Sequence, residues 1–231
     1  MNQQEFVLIL FQVVVLVFAF SVHESAHAYA AMRLGDPTAY MLGRVTLNPM
    51  KHLDPLGSVL VPLISLVSGG WLIGWAKPCP VTTRNFRHLR RDDILVSMAG
   101  PLSNLVLATV ALLLLILFKH AFPAGLMTIA AAMATANHMS VDLSSLPLFP
   151  VAMLLYYGVL INLVLLVFNL IPIPPLDGSH VLRHFLPYRV EQIYNQIGMY
   201  GLIVLLLFGG RWIASFYYPL LGFYDRLLLS M

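Results

Sequence analysis

The chain has 231 residues, of which 59% are hydrophobic and only 10% are charged, and its formal net charge is +3. A soluble domain carries about 25% charged residues, so this composition excludes an ordinary soluble protein and indicates an integral membrane protein. The basic residues lie beside apolar segments, which indicates membrane topology and not nucleic-acid binding, and the single cysteine, Cys79, excludes an internal disulfide framework.

Five apolar stretches are long enough to cross the hydrocarbon core of a bilayer, which takes roughly 20 helical residues. They cover about 6–31, 56–75, 94–118, 151–171 and 194–221, and a loop at 119–150 separates the third from the fourth. The last stretch is interrupted at Gly209-Gly210-Arg211, which allows two shorter pieces. We therefore predict an all-α, polytopic helical bundle of about five to six membrane segments, forming one membrane-embedded domain over residues 1–231.

The first apolar stretch ends in His23-Glu24-Ser25-Ala26-His27, an H-E-x-x-H motif. Residues four apart lie on one face of a helix, so both imidazoles can reach a single metal ion, with Glu24 beside it as a proton acceptor. The alternative is a pair of histidines hydrogen-bonded in a helix interface, which is costly in mid-bundle. The motif predicts metal-dependent hydrolysis inside a membrane.

Residues 41–49 partly alternate between apolar and polar side chains, which allows a short strand near the active site. The edge of such a strand could pair with an extended substrate backbone. A structured loop is the alternative that we favour, because Pro49 and Pro55 limit the length of any strand.

Both flanks of the second apolar stretch are basic, since residues 32–55 and especially residues 76–93 carry lysine and arginine. The positive-inside rule assigns both flanks to the cytoplasm. A simple span cannot place its two ends on one side, whereas a re-entrant hairpin can, and Pro62 and Gly69-Gly70 supply bends. We predict that 56–75 enters the membrane and returns beside the metal site, with an ordinary span as the alternative.

Two asparagines, Asn104 and Asn162, lie inside the third and fourth apolar stretches. A polar amide at such a position usually bonds a neighbouring helix, and substrate contact is the alternative.

The fourth apolar stretch is followed by Asn169-Leu-Ile-Pro172-Ile-Pro174-Pro175-Leu-Asp177-Gly178. A catalytic zinc ion usually has three protein ligands, and acidic residues are scarce elsewhere. Repeated prolines break a helix and Gly178 permits a sharp turn, so this break can direct the Asp177 carboxylate back into the bundle. From this segment alone, a helix stop followed by a solvated loop fits Asp177 nearly as well. His180 and His184 are alternative ligands.

These motifs together resemble the site-2 protease family of intramembrane zinc metalloproteases, in a compact bacterial form without a PDZ or CBS domain. The resemblance covers about residues 6–190. It is carried by His23-Glu24-x-x-His27, Ala99-Gly100-Pro101-Leu102-Ser103-Asn104, Asn169-x-x-Pro172 and Leu176-Asp177-Gly178. It implies that His23, His27 and Asp177 bind one Zn²⁺ per chain, that Glu24 is the general base, and that Asn169 positions substrate or stabilises the transition state.

The same resemblance implies an endopeptidase that cleaves within or next to transmembrane helices of membrane-protein substrates, as in regulated intramembrane proteolysis. The expected partners are such substrates and the lipid bilayer, without nucleic acid. The expected location is a bacterial inner membrane, in multi-pass form, with the active site towards the cytoplasmic side. A divalent-metal transporter and a catalytically inactive metal-binding scaffold are the alternatives; a transporter would carry acidic residues or histidines on several helices.

Overall fold

The computed structural model describes residues 3–67, 74–139, 141 and 145–231, and every regular element within these ranges is helical. The α-helices in chain order are α1 (Gln3–Leu34), α2 (Thr38–Met41), α3 (Val61–Val67), α4 (Leu89–Ala121), α5 (Gly125–Ala136), α6 (Phe149–Asn169), α7 (Asp177–Arg183), α8 (Tyr188–Phe208) and α9 (Gly210–Ser230). Pro49–Lys51 and Thr83–Asn85 form 3₁₀ turns, and Pro55–Leu60 forms a π-helical turn. The predicted all-α fold is confirmed.

Three helices in the described part of the chain, α1, α4 and α6, have the length and apolar composition of membrane spans. They pack against one another in all three pairs and form the centre of the molecule. Small side chains at the contacts, among them Ala19, Ala108 and Ala152, are fully buried. Such residues let helix backbones approach closely, which matters in lipid because no hydrophobic effect drives the helices together.

The last apolar stretch and the segment 119–150 form further helices. The last stretch divides at Gly209 into α8 and α9, as its interruption allowed. The loop predicted at 119–150 is wrong in part, because it contains α5, which packs on α6 and buries Ile129 and Ala132 completely. Its sequence is rich in alanine and contains two methionines, residues that favour helix, and this propensity outweighed the lack of a full-length span.

The two described ends of the stretch 56–75 meet. The Trp75 N–H donates to the Gly57 carbonyl over 2.9 Å, and the buried Ser58 hydroxyl donates to the Trp75 carbonyl over 2.7 Å. A single crossing would separate these ends by the thickness of the hydrocarbon core, about 30 Å. The paired ends therefore match the predicted hairpin and not an ordinary span. The bend predicted at Gly69-Gly70 lies outside the described residues.

The strand considered at 41–49 is wrong, and the segment is a structured loop. The backbone turns at Gly43, whose φ is +67°. The buried Arg44 side chain donates to the Lys51 carbonyl, and His52 Nε2 lies 2.8 Å from the Thr46 carbonyl oxygen. These side chains hold the segment as a loop, so the strand edge that was considered for pairing with substrate is not formed.

Asp36 ties the end of α1 to the basic loop that precedes α4. Its carboxylate is fully buried and accepts hydrogen bonds from the Thr38 N–H (3.1 Å), the Asn85 side-chain amide (2.8 Å) and the Thr82 N–H (2.7 Å). Burial alone would raise the pKa of Asp36, but the donors from Thr38, Asn85 and Thr82 outweigh it and hold the pKa below its usual value. The charged form therefore stabilises the fold at neutral pH.

We expect Asp36→Asn to lower the free energy of unfolding at pH 7 by about 2 kcal/mol, because an amide retains only one acceptor for these donors. Because the folded-state pKa is depressed, the charged carboxylate adds stability at pH values above the unfolded-state pKa of about 3.9. This stability is lost as the pH falls through the lower folded-state pKa. Thermal unfolding of detergent-purified protein measures the effect. The difference in free energy of unfolding between wild type and variant should decrease as pH falls below about 4. Equal stability of the two proteins at pH 7 would contradict a stabilising role of the charged Asp36 carboxylate.

Candidate active site

The two motif histidines turn their Nε2 atoms towards each other inside the bundle. His27 Nδ1 lies 2.7 Å from the Val96 carbonyl oxygen, which can only accept, so this nitrogen carries the proton. His23 Nδ1 lies 2.8 Å from Asn104 Oδ1, which assigns its proton in the same way. Both Nε2 atoms then hold free lone pairs only 3.1 Å apart. Neutral imidazoles in this arrangement repel each other unless a cation lies between them.

Asp177 completes a group of three ligand atoms. Its Oδ2 lies 3.1 Å from His23 Nε2 and its Oδ1 lies 3.3 Å from His27 Nε2, and the three ligand atoms are all within 4.8 Å of one another. The buried Asp177 Oδ2 has no hydrogen-bond partner. Two imidazoles and one carboxylate are a donor set that suits zinc. Among the described residues this is the one such group, so no second metal path of the kind expected in a transporter is seen there.

The chain brings Asp177 to this position by a sharp reversal after α6. Helix α6 ends at Asn169, the Leu176 N–H bonds the Ile173 carbonyl, and α7 begins at Asp177. A Cβ on Gly178 would collide with the Leu170 backbone, so the reversal needs glycine there. Of the two interpretations of the proline-rich break, the structure matches the one in which the carboxylate returns to the bundle.

Gly100 on α4 leaves open the space that both histidines face. A Cβ built on Gly100 would lie 2.5 Å from His23 Nε2 and closer still to His27 Nε2. A side chain at this position would therefore push into the two imidazole nitrogens, and its absence leaves room for a metal ion between them. The open space, the facing lone pairs and the unpaired carboxylate oxygen together fit a divalent metal ion.

One face of α4 supports both histidines through Val96, Gly100 and Asn104, which are spaced four residues apart. Asn104 is fully buried and bonds a neighbouring helix, as predicted. The sequence reasoning missed that its partner is His23 itself. Partners of this kind fix the tautomer and orientation of a metal-binding imidazole. The four-residue spacing from Gly100 to Asn104, matching that of the two histidines, was the available signal.

Glu24 lies beside His23 and its carboxylate is held by the backbone. Glu24 Oε2 accepts a hydrogen bond of 2.8 Å from the Cys79 N–H, and Cys79 lies between Pro78 and Pro80. Burial and the negative charge of Glu24 raise the pKa of the Cys79 thiol to about 12. Cys79 is therefore a neutral thiol at pH 7, and it lies outside the group formed by His23, His27 and Asp177.

The remaining predicted residues lie outside the ligand group. The Asn169 side-chain amide donates to the Leu165 carbonyl of its own helix over 2.9 Å. His184 Nε2 lies 2.6 Å from Asp93 Oδ2, and His180 Nδ1 lies 4.0 Å from Asp93 Oδ1. Neither histidine joins His23, His27 and Asp177, so the interpretation of His180 or His184 as the third ligand is not supported.

Comparison with known proteins yields one family and several relatives. The family described as "Peptidase family M50" matches residues 11–209. The protein named "Putative zinc metalloprotease YwhC" of Bacillus subtilis (strain 168) is 41% identical over 195 residues, which cover 84% of this chain and 78% of that protein. The protein named "Putative zinc metalloprotease Rip2" of Mycolicibacterium smegmatis is 29% identical over 189 residues, which cover 80% of this chain and 61% of that protein. No solved structure matches the chain.

Proposed function

Since the chain belongs to peptidase family M50, the site-2 protease family of zinc-dependent peptidases, we propose that it hydrolyses peptide bonds within or next to transmembrane helices of membrane-protein substrates. The observation that best supports this is the convergence of His23 Nε2, His27 Nε2 and an Asp177 oxygen within 4.8 Å, next to Glu24. Regulated intramembrane proteolysis is the biological process that this activity would serve.

In this proposal His23, His27 and Asp177 hold one zinc ion per chain. A bound zinc ion supplies Lewis acidity, which polarises the scissile carbonyl and makes water a nucleophile at neutral pH. The protein contributes the fixed tautomers of the two imidazoles through the Val96 carbonyl and Asn104. It also contributes the bare surface of Gly100, which keeps the space in front of the histidines open.

Glu24 acts as the general base and then as the general acid. Its carboxylate takes a proton from the attacking water and passes it to the nitrogen of the leaving amide. The hydrogen bond from the Cys79 N–H leaves the second carboxylate oxygen available and restricts how the side chain turns. This fits the requirement that a catalytic base keep a defined direction towards the proton it abstracts.

Asn169 is proposed to contact substrate or the developing negative charge at the attacked carbonyl. Its amide nitrogen bonds the Leu165 carbonyl, so the side chain has to change rotamer to donate to a substrate. The substrate helix must also unwind, because its carbonyls are bonded within the helix. Glycine, proline, asparagine or serine in a substrate segment lowers the cost of unwinding.

The active site is proposed to open towards the cytoplasm, in a multi-pass protein of the bacterial inner membrane. His27 lies seven residues before the end of α1 at Leu34, and Val96 lies seven residues after α4 begins at Leu89. Both are thus about 10 Å from those helix ends. The basic loop adjoins this end of the bundle, where the Arg87 N–H contacts the Leu34 carbonyl over 3.4 Å. Positive loops favour the cytoplasmic side, which supplies water to the site.

Asp177→Ala tests the proposed function directly. We expect the variant to lose both zinc and cleavage of a model transmembrane substrate, because two imidazoles alone make an incomplete site. Zinc content and cleavage are measured on detergent-purified protein. Glu191→Ala, which removes an acidic residue on α8 outside the ligand group, is the control and should keep both. Retention of zinc and activity by Asp177→Ala would refute the ligand set and the proposed mechanism.

A further inference from the structure

Helix α7 delivers Asp177 to the site but has few means of holding its own position. It is seven residues long, and isolated helices shorter than about 12 residues are marginal in water. Its buried residues are Gly178 and Ser179, so no large apolar side chain of α7 is fully buried. The Asp177 carboxylate adds no hydrogen bond at Oδ2. Some other contact must place this helix.

That contact is Asp93, a buried carboxylate on α4 that is 3% exposed. Arg183 Nη2 and His184 Nε2, at the end of α7, both donate to Asp93 Oδ2 over 2.6 Å. His180 Nδ1 lies 4.0 Å from the other oxygen, Oδ1. Charge-assisted hydrogen bonds of this length are among the stronger polar contacts in proteins. A buried carboxylate that lost them would be left unpaired at a high cost in free energy.

We propose that Asp93 is a positioning residue of the metal site, which docks α7 on α4 so that Asp177 reaches the two histidines. The proposal rests on the proposed ligand set. It means that one helix, α4, orients all three ligands: the Val96 carbonyl holds His27, Asn104 holds His23, and Asp93 holds the helix that begins with Asp177. Asp93 itself does not touch the ligand atoms, and it acts through Arg183 and His184.

The effect on metal binding follows from the population of the docked state. A ligand that binds only one conformation has an apparent dissociation constant equal to the intrinsic constant divided by the fraction in that conformation. If α7 leaves α4, Asp177 leaves the site with it. Weakening the Asp93 contacts therefore raises the apparent dissociation constant for zinc without changing any ligand.

The test compares zinc affinity of wild type, Asp93→Asn, Asp92→Asn and Asp177→Ala, each purified in detergent, stripped of metal and titrated against a chromophoric chelator. We expect Asp93→Asn to weaken zinc binding about tenfold or more, which corresponds to a docked fraction of α7 of about one tenth or less. Asp92→Asn is the matched control, because the neighbouring carboxylate accepts from the N–H of His88, the residue that precedes α4, and should leave the affinity close to wild type.

Two further measurements separate positioning from general damage to the fold. Saturating zinc should restore cleavage by Asp93→Asn, since the ligands are intact, whereas a damaged fold would not recover. His184→Ala, which removes one donor from a side chain only 14% exposed, is the milder variant if Asp93→Asn does not fold, and it should weaken zinc binding in the same direction.

The possible outcomes distinguish the two proposals. Wild-type zinc affinity in both Asp93→Asn and His184→Ala, together with loss of zinc in Asp177→Ala, would overturn the positioning role and leave the proposed function intact. Wild-type zinc affinity in Asp177→Ala would overturn the ligand set itself. Weakened binding in Asp93→Asn with rescue by zinc supports the positioning role.

Discussion

Replacing Glu24 by glutamine is expected to abolish peptide-bond cleavage while leaving zinc bound. Glutamine has nearly the same shape, and its amide oxygen can still accept the Cys79 N–H. It cannot take a proton from water, and general acid–base catalysis contributes about 10²–10⁴-fold to such reactions. Because Glu24 is outside the group formed by His23, His27 and Asp177, metal content should match wild type. We expect a loss of at least about a hundredfold in the cleavage rate.

The measurement is cleavage of a model transmembrane substrate by purified protein, with zinc content determined on the same samples. Glu5→Gln is the matched control, since it makes the same change near the start of the same helix and should cleave normally. Cleavage at the wild-type rate by Glu24→Gln would refute the catalytic role. An inactive variant that keeps its metal is also a trap, and proteins captured with it can be identified by mass spectrometry as candidate substrates.

Gly100→Ala is expected to remove zinc binding altogether. The added methyl group would occupy the space between the two imidazoles, 2.5 Å from His23 Nε2 and in direct collision with His27 Nε2. Both histidines are held from behind by hydrogen bonds to Asn104 and the Val96 carbonyl, so neither can retreat without losing that bond. Alanine is otherwise a better helix former than glycine, by about 1 kcal/mol, so the helix itself should not suffer.

The control for this substitution is Gly222→Ala on α9, where a Cβ would meet no atom within 4 Å. It should bind zinc as wild type does. Zinc titration of the two variants gives the comparison, and thermal unfolding without metal checks that both fold. Near-normal zinc affinity in Gly100→Ala would contradict the position of the site in front of this glycine.

Residue spacing predicted the parts of the site that have a regular geometry. The four-residue step from His23 to His27 predicted that the two rings would face one point. The proline-rich break before Asp177 allowed the return of a third side chain, and the family resemblance favoured it over a solvated loop. The basic flanks of 56–75 predicted that its ends would meet, as the bond from Trp75 to Gly57 bears out. Each of these predictions uses spacing or composition along a short part of the sequence, so it needs no knowledge of how distant segments pack together.

The features of the site that could not be predicted from the sequence depend on contacts between segments that are far apart in the chain. The support of His27 by the Val96 carbonyl has no signature in the sequence, because every residue carries the same backbone carbonyl group whatever its side chain is. The pairing of Asp93 with Arg183 spans 90 positions and follows only from the packing of α7 on α4. Residues 41–49 form the loop that we favoured over a strand, and the contacts that hold it, from Arg44 to the Lys51 carbonyl and from His52 to the Thr46 carbonyl, could not be read from the sequence.

His27 and Asp177 are 150 positions apart, and this separation orders the events of synthesis. The two histidines and the α4 residues that bond them have been synthesised once the chain reaches residue 121. Helix α7 and His184, which bonds Asp93, follow only when the chain reaches residue 184. At ribosomal rates of about 5–20 residues per second, this interval lasts several seconds. During it the nascent chain holds Glu24 and the two histidine nitrogens without Asp177. On the proposed ligand set, the complete metal site therefore forms only late in translation, after the three long apolar helices α1, α4 and α6 have been made.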